Sequence, residues 1–196
     1  MSILLGVLVS PHIALVQIAP SASELAVYGG LHAAAAKGDP TEIEQLVKTG
    51  SPIDLRDSRA RTPLHVAVYM RKPDTAFASL RLGADPNAFE AQQYDIVTIA
   101  AAHLGHDDVV RTLIAAKAPL DHVNNLGWTA LIESIVLGDG GKRHIATLNA
   151  LVDAGANVNL ADRLGKTPLA LAKKRGFSEM AKILETLVRA SRVCFA

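Results

Sequence analysis

Residues 61–67 read Arg61-Thr62-Pro63-Leu64-His65-Val66-Ala67, and residues 165–169 read Gly165-Lys166-Thr167-Pro168-Leu169. In each, a Thr suited to cap a helix N-terminus precedes a Pro whose φ is already helical and whose missing N–H the first turn does not need. Helices are therefore expected to start at Pro63 and Pro168. Working outward, the chain repeats itself. Gly29-Gly30-Leu31-His32, Thr62-Pro63-Leu64-His65, Asp95-Ile96-Val97-Thr98, Thr129-Ala130-Leu131-Ile132 and Thr167-Pro168-Leu169-Ala170 align at steps of 33, 33, 34 and 38. Asp95 and Thr129 are further N-cap types on this alignment. Three residues after each Leu or Val stands a small residue, Ala34, Ala67, Ala100, Ser134 or Ala172, which lets paired helices approach closely. Gly50, Gly83 and Gly155 suit a left-handed residue at a helix end, and Asp54, Asn87, Asp121 and Asn159 follow as acidic or amide positions.

A period of this size means stacked supersecondary units, because one unit cannot bury its own apolar face. The T-P-L-H-x-A pattern resembles the ankyrin repeat over about residues 29–190, with Ala154-Gly155-Ala156-Asn157-Val158-Asn159 as a further match. The resemblance implies an α-solenoid of five helix-turn-helix units with short β-hairpin-like finger turns. The repeats would occupy about 29–57, 58–90, 91–124, 125–162 and 163–190, within a domain of 24–196. In the last helix Met180, Ile183, Leu184, Leu187 and Val188 make an apolar stripe, opposite Ser178, Glu179, Lys182, Glu185 and Arg189. Three departures stand out. Lys117 replaces the helix-ending Gly, so that turn should cost more or change. An extra residue is expected near His103-Leu104-Gly105-His106. Gly138-Asp139-Gly140-Gly141-Lys142 forms a flexible insert in the fourth repeat, read as a tolerated surface loop with a recognition loop as the alternative.

The composition agrees with helices: Ala and Leu supply 57 of the 196 residues, against 8 aromatics. Lys and Arg number 20 and Asp and Glu 19, so net charge gives no reason to expect nucleic acid as a partner. The lone Cys194 excludes a disulfide within the chain and a cysteine-rich zinc site. No charged residue precedes Glu24. Residues 2–22 are apolar but interrupted by Pro11, His12 and Gln17, a poor membrane span that suits a secretory signal with cleavage near Ser21-Ala22-Ser23. The n-region lacks Lys and Arg, so an uncleaved anchor or an apolar cap on the first repeat stays open. On the first reading residues 1–23 are a signal peptide and the protein is periplasmic or secreted; the alternative location is cytoplasmic.

Catalytic and cofactor motifs do not emerge. Gly165-Lys166-Thr167 lacks the Gly a phosphate loop needs at Leu160, and Gly141-Lys142 lacks both the Gly at Val136 and the hydroxyl at Arg143. His103, His106 and His144 are too few and too scattered for a metal centre. His32 and His65 are expected to hydrogen-bond the backbone of a neighbouring repeat. No catalytic residue, cofactor or metal is assigned, and an enzyme built on the insert is the remote alternative.

A binding surface remains. Finger tips would present Arg56, Arg59 and Arg61; then Phe89, Gln92, Gln93 and Tyr94; then Asn125, Leu126 and Trp128; then Arg163 and Lys166. Counting along the first helix of each unit places Val66, Tyr69, Met70, Ala102, His103, Glu133, Val136 and Leu137 on an inner face. Tyr, Trp, Met and Arg are enriched at protein interfaces. The expected partner is another protein, bound by a monomer, with an acidic spot opposite Arg56, Arg59 and Arg61. The resemblance further suggests the small ankyrin proteins of bacterial cell envelopes, with a cytosolic adaptor, a secreted effector and a homo-oligomer as rivals.

Overall fold

A computed structural model of the chain describes residues 19–91 and 95–193, with side chains as far as residue 190. A short helix α1 (Ala22–Val27) leads into five helix pairs. The first members are α2 (Gly30–Lys37), α4 (Pro63–Tyr69), α6 (Val97–His103), α8 (Ala130–Val136) and α10 (Pro168–Lys174). Their partners are α3 (Pro40–Lys48), α5 (Pro73–Arg81), α7 (Asp107–Ala115), α9 (Lys142–Asp153) and α11 (Ser178–Val193). First helices pack on first helices (α2 on α4, α4 on α6, α6 on α8, α8 on α10), and second helices do the same. This is a two-layered α-solenoid.

Local chemistry sets the helix starts. Thr62, Thr129 and Thr167 each accept a hydrogen bond from the amide three residues on, and Pro follows in α4 and α10. The small residues between layers, Ala34, Ala67, Ala100 and Ala172, are fully buried, which is what lets the backbones approach. Leu31, Ile43, Leu64, Ile99, Leu113, Leu131, Leu148 and Leu184 fill the rest of one continuous core. On α11, Met180 and Leu184 point fully inward, while Ser178, Glu179, Lys182 and Arg189 are exposed.

The extra residue of the third unit is not near His103. In three finger turns the closing hydrogen bond spans four residues: Asp57 N to Arg61 O, Asn124 N to Trp128 O, and Asp162 N to Lys166 O. In the third it runs from Glu90 N to Asp95 O, five residues on. The insertion therefore lies in the finger, α6 starts one residue late, and its N-cap is Ile96 rather than Asp95. Both Ala100 and Ala101 are small and fully buried, so the sequence pattern tolerates either register. The one bridge of strand type among the described residues is antiparallel, Phe89 with Ile96, in this same finger.

Three non-glycine residues hold left-handed backbone, each where sister units use Gly. Lys117 (φ 59°) keeps the turn of Gly50, Gly83 and Gly155. Arg71 (φ 51°) matches Gly38, Gly105 and Gly176, and Ala60 (φ 59°) matches Gly127 and Gly165. A side chain in this region costs roughly 1–2 kcal/mol, so Lys117 bears the expected cost without changing the turn.

The insert is anchored. Asp139 Oδ1 accepts from Gly141 N and faces His144 Nδ1 at 2.8 Å, His144 Nε2 meets the His103 carbonyl, and Arg175 donates to the Gly138 carbonyl. These contacts join the insert to α6 and to the fifth unit. Residues 1–18, the bulk of the signal-like stretch, lie outside the described residues. Among the described residues no helix is long and apolar enough to cross a membrane.

Candidate functional site

Three of the finger turns are stiffened by one device. The leading Asp or Asn folds its side chain under the tip: Asp57 Oδ1 accepts from Arg59 N and Arg61 N, Asn124 Oδ1 from Leu126 N and Trp128 N, and Asp162 Oδ1 from Leu164 N and Lys166 N, at 2.8–3.0 Å. Along the fingers Phe89, at the start of the third, is 43% exposed, Val123 51% and Leu164 82%. Arg163 and Lys166 are open to solvent, and Leu126 and Trp128 are half-buried. Gln92, Gln93 and Tyr94, expected on the third tip, lie outside the described residues.

The first finger is closed. Arg61 is fully buried, donating from Nε to Asp57 (2.8 Å) and from a terminal nitrogen to Glu24 (2.5 Å). Arg59 Nε donates to the same Glu24 oxygen at 3.0 Å, and Arg56 turns to the carbonyls of Ala60 and Phe89 with its guanidinium over the Phe89 ring. Tyr28 donates to Asp57 Oδ2 at 2.6 Å, and His32 Nε2 meets the Arg61 carbonyl at 3.0 Å, as expected for a repeat-bridging imidazole. Glu24 is held down at about 2, first by the Ser21 amide and hydroxyl and then by Arg61. Burial pushes the Tyr28 phenol up, and the hydrogen bond to Asp57 adds to that. The expectation that Arg59 and Arg61 stand ready for an acidic partner is therefore corrected: a carboxylate from α1 already occupies them. Nothing local in the sequence ties Glu24 to a residue 37 positions away.

Beneath the third and fourth fingers the inner face is also closed, by acids. Glu90, Asp95 and Glu133 are buried, with Tyr69 and Asn124 between them. Tyr69 donates to Glu90 Oε1 at 2.7 Å, and the Asn124 amide donates to both Asp95 Oδ1 (2.7 Å) and Glu133 Oε1 (2.9 Å). His103 Nδ1 lies 3.6 Å from Glu133 Oε2. Burial raises Glu90 to about 7 and Glu133 to about 9, helped by the charge of Asp95, so Glu133 carries a proton at neutral pH. Burial likewise lowers His103 and favours its neutral form. Tyr69 and Glu133 were expected on an open concave surface; the structure makes them, with Glu90, Asp95 and Asn124, an interior network. Sequence reasoning missed this role of the last three because the network joins residues far apart in the chain, Tyr69 with Glu90 across 21 residues and Asp95 with Asn124 across 29.

The other candidates fall into two groups. Met70, His103 and Trp128 are half-buried, while Phe89, Arg163 and Lys166 are exposed. His106 Nδ1 meets the Val68 carbonyl, which ties α7 to α4. Among the described residues no group of three or more His, Cys, Asp or Glu is placed to hold a metal ion.

Residues 98–135 match the family model described as ankyrin repeats in many copies. The chain is 33% identical over 144 residues to the ankyrin repeat protein YahD of Escherichia coli (strain K12), covering 72% of this chain and 71% of YahD. It is 34% identical over 142 residues to protein PhlB of Serratia liquefaciens, covering 72% of this chain and 60% of PhlB. Similarity to the glycerophosphocholine phosphodiesterase gde1 of Schizosaccharomyces pombe is 31% over 96 residues, and spans 8% of that protein's length.

Proposed function

The chain belongs to the ankyrin-repeat family, and on that premise we propose that it is a non-enzymatic protein-binding module acting as a monomer. The supporting observation is the set of exposed apolar side chains Phe89, Val123 and Leu164, the last two carried on fingers whose backbones are fixed by side-chain-capped turns. Stiff presentation reduces the entropy lost on docking. Protein–protein recognition is also the general use of such repeats, whose function is grafted onto the scaffold rather than given by it. A photo-crosslinking residue at Phe89 or Leu164 is expected to trap one and the same protein in the native host, and one at Arg111 on the outer helix α7 to trap none. Equal yields at all three positions would overturn the finger surface as the binding face.

We propose also that the protein is periplasmic or secreted. The charge-free apolar start of the chain supports this reading. The capping box of Ser21 and Glu24 and the pairing of Glu24 with Arg61 support cleavage before Ser21, rather than after residue 23 as read from the sequence. Intact mass from fractionated cells tests it: a shortened chain that retains Ser21 in the envelope fraction is expected. A full-length chain in the cytosol would refute export.

A further inference from the structure

The charges divide along the solenoid. Residues 24–137 carry 10 Lys and Arg against 14 Asp and Glu, whereas residues 138–196 carry 10 against 5, a swing from −4 to +5. Several acids of the second segment are engaged: Asp139 with His144, Asp162 under its own finger tip, and Glu185 with Lys173. Arg163, Lys166 and Lys174 are exposed and make no ion pair among the described residues.

Their positions in the repeat place them on one side. Lys166 precedes its cap residue Thr167 as Trp128 precedes Thr129 and Arg61 precedes Thr62. Lys174 ends α10 as Val136 ends α8, His103 ends α6 and Tyr69 ends α4, and α10 packs against α8. Leu164 matches Leu126 three residues before the cap. The inner side of the fourth and fifth units thus offers Leu126, Trp128, Val136 and Leu164 as apolar contacts, bordered by Arg163, Lys166 and Lys174. The same side of the first unit is already filled by the chain's own Glu24.

We propose that this groove binds an acidic segment of a partner protein that carries at least one large apolar residue. The inference rests on the protein-binding reading above and names the partner's chemistry. Glu24 shows the principle within the molecule, where a carboxylate docks beside the first finger on Arg59 and Arg61. Leu164 at 82% exposure favours a polypeptide over a nucleic acid, because a phosphate backbone leaves that surface uncovered while a Leu or Phe side chain covers it.

Trp128 is the sole tryptophan and reports on the groove directly. The probe is a peptide of about a dozen residues, with Asp and Glu flanking a central Leu-Phe, titrated into the full chain at low salt and followed by Trp128 fluorescence. Saturable binding that weakens with salt is expected, together with a loss of about tenfold or more for the combined Arg163→Glu, Lys166→Glu and Lys174→Glu variant. The combined Lys48→Glu, Arg111→Glu and Lys182→Glu variant carries the same charge change on outer helices and is expected to bind normally. Absence of saturable binding, or equal losses in both variants, would overturn the groove. So would a single-stranded DNA of similar charge binding as tightly, or sedimentation showing that another copy of the chain occupies the face. In any of these cases crosslinks from Phe89 would still stand or fall separately, leaving the protein-binding reading to its own test.

Discussion

The first and third fingers occupy equivalent places in the repeat and solve opposite electrostatic problems. The first buries an arginine and surrounds it with carboxylates, Glu24 at about 2 and Asp57 held below its ordinary range by Tyr28 and the Arg59 and Arg61 groups despite its burial. The third buries carboxylates among Tyr69, Asn124 and His103, and two of them are pushed up, to about 7 and about 9. A buried acid stays ionised where hydrogen bonds or a cation compensate the lost hydration; where burial outweighs them, its pKa rises. The two ends of this comparison therefore respond oppositely to pH and to substitution.

Removing the cation should separate them most. Arg61→Met leaves Asp57 and Glu24 without their partner and is expected to cost about 3–5 kcal/mol at neutral pH, measured by urea denaturation. A loss below about 1 kcal/mol would mean that the two fingers are not electrostatically different.

Glu133→Gln should act in the other direction. A carboxyl whose folded pKa is raised stabilises fully below its unfolded value near 4.5, and that contribution disappears as pH rises towards about 9. The amide removes the penalty, so a gain that grows as pH rises from 4.5 towards about 9, and none at pH 4, is expected in thermal melts. Glu90 loses its contribution between 4.5 and about 7, so Glu90→Gln should matter over that lower window. A uniform gain at every pH would assign the effect to packing instead.

Glu24→Gln is expected to cost about 1 kcal/mol at pH 7, through the weakened capping box and a partly exposed ion pair. The sign reverses that of Glu133. Its stabilisation is complete above 4.5 and is lost as pH falls towards about 2, so wild type and variant should converge in acid. Persistent separation at low pH would leave the cap, rather than the charge, as its role.

The smallest effect concerns backbone. Ala60→Gly relieves a left-handed alanine in the first finger, where Gly127 and Gly165 serve the later fingers, and should gain about 0.5–1 kcal/mol. A destabilised variant would show that unfolded-chain entropy outweighs the strain there.

Much of the scaffold was legible. Thr-Pro starts, helix-ending glycines and the small residue three positions on act within a turn or two, and the helices begin and end where those signals stand. His32 meeting the Arg61 carbonyl was legible for the same reason, since the repeat itself brings that imidazole to its neighbour. The insertion in the third finger was misplaced because consecutive alanines, Ala100 and Ala101, fit either register. The surface reading failed at Arg59, Arg61, Tyr69 and Glu133. Each is covered by a residue from another unit or from α1, and no count along a single helix contains that information.

The sequence by itself thus determined the period, the helix pairs, the Thr caps and the family, because these depend on interactions among near neighbours that recur every 33 to 38 residues. The tertiary structure alone decided which polar side chains face a partner and which face each other. It also decided which carboxylates are charged. Burial and charge compensation depend on atoms brought together from 21 to 37 residues apart, as in Tyr69 with Glu90 and Glu24 with Arg61, and only the stacked chain fixes those distances.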